Sequence, residues 1–89
     1  MLIALIARDK PGALQTRLDN RSAHLAYIEE TGVVSQAGPL LDGDSMIGSL
    51  IILNVEDLAA AQSWAESDPY AKAGLFQSVE LIAWKKVIG

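Results

Sequence analysis

The chain has 89 residues, 51% of them hydrophobic, a formal net charge of −4 at pH 7 and no cysteine. A chain of this length predicts a single domain, residues 1–89, and the missing cysteines exclude disulfides and thiolate metal sites. Its seven basic residues are spread along the sequence, and no apolar run reaches the ~20 residues that span a bilayer, so neither nucleic acid nor a membrane is an expected partner.

The first half of the chain predicts a strand, a helix and a second strand. Met1–Ala7 is continuously apolar, which is typical of a strand buried on both faces, and it lacks the basic start of a signal peptide. A cytoplasmic location is therefore the default. Pro11 is placed near a helix start that Asp9 could cap, and Gly32 supplies the left-handed C-cap. Val33–Pro39 is the second strand, and its terminal Gly-Pro pair marks an edge strand or a bulge.

The second half predicts a strand, a helix and a last strand. A turn rich in Asp and Gly leads into Ile47–Val55, a strand whose two faces are both mainly apolar. A second helix begins near Glu56 or Asp57 and ends before Pro69, so residues 67–70 are expected to form an exit loop. Leu75–Ile88 is the last strand. Val79, Leu81 and Ala83 fall on one of its faces, and Phe76, Ile82 and Trp84 fall on the other.

The element order βαββαβ predicts an α+β protein with the ferredoxin-like fold, a four-stranded antiparallel sheet with two helices on one face. Because the first and third strands are apolar on both faces, the helices leave a large apolar sheet face uncovered. A second copy, packed face to face, is the simplest cover. We therefore expect a homodimer through the open sheet face, a dimeric α/β barrel, with a higher oligomer left open.

The first helix carries the only histidine, His24. On a helical wheel, four aliphatic residues of this helix share one sector, which predicts a buried stripe. Three basic residues lie at the edge of that sector. The stripe is Leu14, Leu18, Leu25 and Ile28, and the basic set is Arg17, Arg21 and His24. We therefore expect His24 to be half-buried at the lip of a cleft. Imidazole is a general acid or base near neutral pH, although a helix-edge histidine can also simply fill a packing gap or pair with a carboxylate.

Asp68 is the candidate partner of His24. It follows the second helix, and because the two helices should lie side by side, its carboxylate could approach the imidazole and fix its tautomer. The alternative role for an Asp-Pro pair is an Asx-type turn.

The remaining candidates would contact a substrate. Arg17 and Arg21 could bind a carboxylate or phenolate through forked hydrogen bonds, or could form surface ion pairs. Ser49 lies mid-strand and could face the site, although pairing with a neighbouring polar group is the simpler role. Tyr70 is expected to line the core or the pocket.

Six motifs carry a family resemblance along nearly the whole chain. They are Asp9-Lys10, Arg17…Arg21-x-x-His24-Leu25, Gly32…Ala37-Gly38-Pro39, Ala60-Ala61-Gln62-x-Trp64-Ala65, Asp68-Pro69-Tyr70…Ala73-Gly74 and Trp84-Lys85-Lys86-Val87. In these motifs the sequence resembles the YCII-related family of the dimeric α/β-barrel superfamily. The pairing of His24 with the Asp68-Pro69-Tyr70 motif is the most specific feature.

The resemblance implies a ferredoxin-like protomer, a dimer and a site built on His24 and Asp68. One branch of the family removes chloride from a chlorinated hydroxyhydroquinone without a cofactor. The function expected is thus a cofactor-independent His–Asp acid–base enzyme (a lyase, isomerase or dehydrochlorinase) for a small anionic or phenolic substrate, with no metal. The alternative is a non-catalytic dimeric module that binds a small ligand or serves as an accessory subunit. The superfamily also holds haem enzymes and cofactor-free monooxygenases, so fold alone does not decide the chemistry.

Overall fold

A computed structural model describes all 89 residues and places the helices on one face of a four-stranded antiparallel sheet. The elements are β1 (Leu2–Asp9), α1 (Leu14–Thr31), β2 (Val34–Asp42), β3 (Ser45–Asn54), α2 (Leu58–Ser67), α3 (Pro69–Lys72) and β4 (Phe76–Ala83). The strand order is β2-β3-β1-β4, so β1 and β3 are central and β2 and β4 are edges. The predicted ferredoxin-like α+β fold is confirmed. None of the helices has the length and apolarity needed to cross a bilayer.

The core lies between the central strands and α2. Alternate residues of β1 and β3 point toward the helices, since successive side chains of a strand alternate between its faces. The fully or nearly fully buried cluster is Ile3, Leu5, Ala7, Ile51, Leu53, Ala61, Trp64 and Ala65. The three alanines allow the backbones to approach closely, and the large side chain of Trp64 in α2 is buried with them. Packing of α2 on the sheet thus fixes where its C-terminal end, and the residue after it, must lie.

The helix boundaries differ from the prediction at two points. Gly12 has φ +71°, a left-handed conformation that ends any continuous helix from Pro11, so α1 begins at Leu14. Its N-cap is Ala13, without a side-chain hydrogen bond, so the assignment of Asp9 as the cap was wrong. The predicted exit loop at residues 67–70 was wrong except at Asp68, because Ser67 ends α2 and Pro69 begins α3. Pro69 occupies its first turn, where a missing N–H costs nothing.

The strand boundaries follow from what each strand has to pair with. β2 continues through Pro39 to Asp42, because an edge strand tolerates proline on its unpaired side. β4 ends at Ala83 rather than Ile88, since Ala83 pairs with Ile3 near the start of β1 and little partner strand remains beyond it. The placement of Phe76 beside Ile82 was also wrong. A register shift between Arg8 and Asp9 turns Phe76 to the helix side, where it packs against the core.

The predicted buried stripe of α1 was wrong for three of its four residues, since only Ile28 packs against the core. Leu14, Leu18 and Leu25 are 44–46% exposed, whereas Arg17 and His24 are 3% and 6% exposed. The helix is rotated by roughly a quarter turn from the expected orientation, at 100° per residue. Burial of the two polar side chains is tolerated because each has a hydrogen-bonded acidic partner. His24 is consequently buried rather than half-buried.

The face of the sheet opposite the helices is uncovered and apolar. Its apolar residues are Ala4 and Ile6 of β1, Leu50 and Ile52 of β3 and Ile82 of β4, which the strand pairing places side by side, with Glu80 opposite Ile6 and Arg8 near the end of β1. Leu50 and Ile82 are 41% and 50% exposed. The two-sided apolar character predicted for the central strands is therefore present in the fold.

Gly48 should tolerate no side chain. A Cβ at this position would overlap the carbonyl oxygen of Ala7 on the neighbouring strand, while a Cβ at Gly38 would meet nothing within 4 Å. Gly48→Ala is expected to lower the free energy of unfolding by about 1–3 kcal/mol, because the overlap can be relieved only by moving backbone. Gly38→Ala, the matched control on the adjacent strand, should change it by no more than ~0.5 kcal/mol. Urea unfolding of both variants tests this, and equal shifts would contradict it.

Candidate functional site

One pocket gathers most of the residues singled out in the sequence. It lies between α1, α3 and the β2–β3 hairpin, with a volume of about 210 Å³. Arg17, Arg21, His24, Ser49 and Tyr70 all line it, and Asp68 contacts His24. Its apolar wall is formed by Leu25, Ile28, Ala37, Pro39, Met46 and Ile51. The chain thus brings all six candidates together from three separate segments, α1, β3 and the start of α3.

His24 and Asp68 form a buried pair. His24 Nδ1 lies 2.8 Å from Asp68 Oδ1, and the side chains are 8% and 1% exposed. A carboxylate oxygen facing Nδ1 assigns the hydrogen of the neutral ring to Nδ1, which leaves the lone pair on Nε2. Nε2 makes no hydrogen bond within the protein, and His24 lines the pocket. The ring therefore offers a nitrogen acceptor to whatever the pocket holds.

The position of Asp68 is set by the proline that follows it. A residue before proline is driven out of the helical region, and Asp68 accordingly has φ −62° and ψ 129°. This ends α2 and starts α3, with Asp68 Oδ1 accepting a hydrogen bond from the Tyr70 backbone N–H at 3.0 Å. The same oxygen, Oδ1, thus serves both roles considered for Asp68: it shapes the turn and it contacts the histidine. Oδ2 is buried and has no partner.

Tyr70 braces the pocket from α3. Its ring stacks on His24 with centroids 3.9 Å apart and planes 15° from parallel, and Arg17 Cζ lies 4.7 Å from the same ring centroid. Arg17 and His24 are seven residues apart, about 10.5 Å along the axis of α1. The Tyr70 ring is therefore held between them. A ring clamped in this way restricts rotation of the imidazole.

Arg17 belongs to a second buried network that the sequence analysis missed. Its Nε and Nη2 donate to the two carboxylate oxygens of Asp9 at 2.7 and 2.9 Å, and Nη2 also donates to Ser49 Oγ at 2.9 Å. Burial acts to lower the pKa of Arg17, but the hydrogen bonds and charge of Asp9 outweigh it, so the pKa is raised. No spacing rule joins Asp9 to Arg17, because they lie on either side of the β1–α1 loop. Only the mid-strand position of Ser49 hinted at this cluster.

Arg21 differs from Arg17 although both line the pocket. It is exposed, and neither of the two ion pairs in the structure includes it. The charge of Arg17 is matched by Asp9, whereas that of Arg21 has no carboxylate partner. Arg21 is therefore the cation at the pocket that no carboxylate pairs with.

These groups suit proton transfer on an anionic ligand. The pocket combines an acceptor nitrogen on His24, an unmatched cation on Arg21 and hydroxyl groups on Ser49 and Tyr70. A base beside a cation can remove a proton while the developing negative charge is stabilised. No group of three or more His, Cys, Asp or Glu side chains that could hold a metal ion occurs in the structure.

The two tyrosines should ionise only above pH 10. Burial raises the pKa of Tyr27 above 10.0, and Asp68 adds to the rise. Burial also raises the pKa of Tyr70, although Arg17 and Arg21 oppose it. Because the folded pKa values exceed the unfolded ones, their contribution to stability is complete below pH 10.0 and is lost as the pH rises through the folded values.

Ultraviolet absorbance of tyrosinate measures this directly, since the chain has only two tyrosines. Tyr27→Phe and Tyr70→Phe assign the two steps. A step that occurs at the same pH in the native and the urea-unfolded protein would contradict the expected rise for that tyrosine.

The sequence is similar over its full length to known proteins. A model of the YCII-related domain matches residues 1–85. Protein YciI of Escherichia coli is 39% identical over an alignment 97 residues long. The alignment covers 98% of this chain and 99% of that protein. An uncharacterized protein of Haemophilus influenzae is 34% identical over the same shares of both chains.

The structure also resembles solved ones. 5-Chloro-2-hydroxyhydroquinone dehydrochlorinase of Burkholderia phenoliruptrix, solved in complex with 2,5-dihydroxybenzoquinone, is 38% identical and superposes with a TM-score of 0.87, covering 96% of this chain and 94% of that one. An antibiotic biosynthesis monooxygenase superposes with a TM-score of 0.58 at 14% identity, covering 97% of this chain and all of its own. At that identity the second likeness concerns the fold alone.

Proposed function

We propose, since the chain belongs to the YCII-related domain family, that it is an enzyme whose His24–Asp68 pair performs acid–base chemistry on a small anionic or phenolic compound. The observation that carries the proposal is the contact of 2.8 Å between His24 Nδ1 and Asp68 Oδ1, both buried beside the pocket. Burying such a pair costs free energy unless every polar atom has a hydrogen-bond partner, and Asp68 Oδ2 has none. This cost would be explained if the pair serves a function.

In this proposal His24 is the base. Nε2 takes a proton from a ring hydroxyl or an activated carbon, and the Asp68 carboxylate stabilises the imidazolium that forms. In an elimination from a chlorinated hydroquinone, that proton is first delivered to the ring carbon that bears chlorine. When His24 then removes a second hydroxyl proton, the electron pair left behind expels chloride, and His24 returns its proton to solvent. In an isomerisation the same proton is delivered to another atom of the substrate. In both reactions the protons and electrons balance without a further reactant, so the proposal invokes no cofactor.

The relative named as a dehydrochlorinase supports the substrate class. Its bound 2,5-dihydroxybenzoquinone is a small planar ring that carries oxygen atoms on opposite sides. The pocket of this chain offers polar groups on His24, Arg21 and Ser49 around an apolar wall, which suits such a ring. A compact, oxygenated six-membered ring is therefore the first class to test.

Chloride release from 5-chloro-2-hydroxyhydroquinone and related halogenated hydroquinones tests the proposal. His24→Ala is expected to lower the rate about 10²–10⁴-fold, the usual contribution of a general base. Gln15→Ala, an exposed change on the same helix, should retain full activity. Full activity of His24→Ala with an unchanged circular dichroism spectrum would overturn the proposed base. No turnover of any compound by the wild-type protein would favour the non-catalytic ligand-binding module.

We also propose that two copies pair through the open sheet face. That face exposes Leu50 of β3 and Ile82 of β4 beside other apolar residues, and the helices lie on the opposite face of the sheet. A domain of this size gains little stability from its own core, so a partner surface adds what is missing. A second copy presents the same apolar strands and is self-complementary about a two-fold axis.

Sedimentation at micromolar concentration tests the pairing. The wild-type protein should be a dimer, and Leu50→Glu should be a monomer because it buries a charge in the proposed interface. Leu58→Glu is the matched control, since Leu58 is similarly exposed at 45% but lies on α2, on the other side of the sheet. A monomeric wild-type protein would overturn the pairing, as would dissociation of both variants alike.

A further inference from the structure

The Asp9–Arg17–Ser49 network leaves one hydrogen unassigned. Nη2 of Arg17 carries two hydrogens, and the structure directs one to Asp9 Oδ1 and the other to Ser49 Oγ. Ser49 Oγ is therefore an acceptor in this contact. Its own hydroxyl hydrogen has no acceptor in the protein, because the bond from Arg17 is the only side-chain hydrogen bond that Ser49 makes.

That hydrogen belongs to a buried group that faces the pocket. Ser49 is 3% exposed, lies mid-strand in β3 and lines the pocket with His24 and Arg21. A buried donor without an acceptor costs free energy, and an acceptor supplied by a ligand would recover it. The hydroxyl is also polarised, since the charged guanidinium withdraws electron density from the oxygen it binds.

At the opposite end of the network, Asp9 already occupies the Arg17 guanidinium. Asp9 engages Arg17 through a two-pronged contact, and the pair is almost fully buried. Such a pair is nearly neutral when seen from the pocket. It holds the guanidinium still, so that the Nη2 hydrogen points at Ser49.

We propose that Asp9, Arg17 and Ser49 form a relay that presents the Ser49 hydroxyl as a hydrogen-bond donor to an oxygen acceptor of the ligand, a quinone carbonyl, phenolate or carboxylate. Ser49 touches the ligand, while Asp9 and Arg17 are positioning residues. Attraction of the anion is the task of Arg21, which has no acidic partner. This inference rests on the proposed function, because it assigns the ligand oxygen that stays in place while His24 moves the proton.

The hydrogen bond proposed for Ser49 and the charge attraction proposed for Arg21 differ in their response to salt. A direct hydrogen bond in a buried site is little affected by ionic strength, whereas the attraction from an exposed charge is screened. Calorimetric titration with 2,5-dihydroxybenzoquinone, an acidic and therefore anionic probe, should separate them. Ser49→Ala is expected to weaken binding about tenfold at low and at high salt, the value of one hydrogen bond to a charged group. Arg21→Met should weaken binding at low salt and much less at high salt.

The controls make the result decisive. Ser63→Ala, an exposed serine on α2, should bind as the wild type does. In an Asp9→Asn background, adding Ser49→Ala should cost less than about twofold, because the relay is already broken. Ser49→Ala binding like the wild type, or losing its effect at high salt, would overturn the inference. Failure of the wild type to bind the probe would also overturn it, while the proposed function is judged separately by the rate of His24→Ala.

Discussion

Arg17→Met is expected to lower the free energy of unfolding by about 3–5 kcal/mol, the usual cost of removing one partner of a buried ion pair. The change leaves the Asp9 carboxylate buried with both of its side-chain hydrogen bonds lost. Methionine preserves much of the stem that packs in the pocket, so the loss reports the charge rather than a cavity. Urea unfolding, followed by circular dichroism, gives the difference.

Arg21→Met is the matched control for that experiment. It makes the same chemical change one turn further along α1, at an exposed arginine without an ion pair. It should alter stability by no more than ~0.5 kcal/mol. Replacing both partners, Asp9→Leu with Arg17→Met, should recover part of the loss, since no unpaired charge remains. If Arg17→Met costs no more than Arg21→Met, the pair contributes nothing to stability.

The fold could be predicted from local patterns because each element carries its own signal. Apolar runs marked β1 and β3, Gly32 marked the end of α1, and Pro69 marked the end of α2. The four-residue helix α3 was missed because it is too short to show a helical period. Phe76 was put on the wrong face because its orientation depends on a register shift against β1, which is a property of two strands and not of one.

The site was predictable only in part, for a different reason. His24 and Asp68 are 44 residues apart, and their pairing was suggested by the arrangement of two helices together with the family motifs. The helical wheel misplaced α1 because it counts leucine as buried and arginine as exposed. Arg17 reverses that rule, since Asp9 satisfies its charge inside the protein. A buried polar side chain cannot be recognised from its own helix when its partner lies on another element.

Asp68→Asn is expected to lower the rate of the proposed reaction about 10²–10⁴-fold with little loss of stability. Asn keeps a carbonyl oxygen at the position of Oδ1, where it can still accept from His24 Nδ1 and from the Tyr70 backbone N–H. The geometry is thus kept and only the negative charge is removed. That charge is needed when His24 becomes an imidazolium, so kcat should fall more than KM changes.

Two further variants separate charge from structure. Asp68→Ala removes both hydrogen bonds and should also cost about 1 kcal/mol of stability, because α3 loses its cap. Asp57→Ala removes the corresponding cap of α2, an exposed contact of 2.8 Å with the Ala60 N–H, and should cost stability without changing the rate. If Asp68→Asn reacts as fast as the wild type while Asp68→Ala is slow, Asp68 acts as a turn former that holds His24 in place. If both are slow and Asp57→Ala is fast, the carboxylate charge itself takes part in the proton transfer.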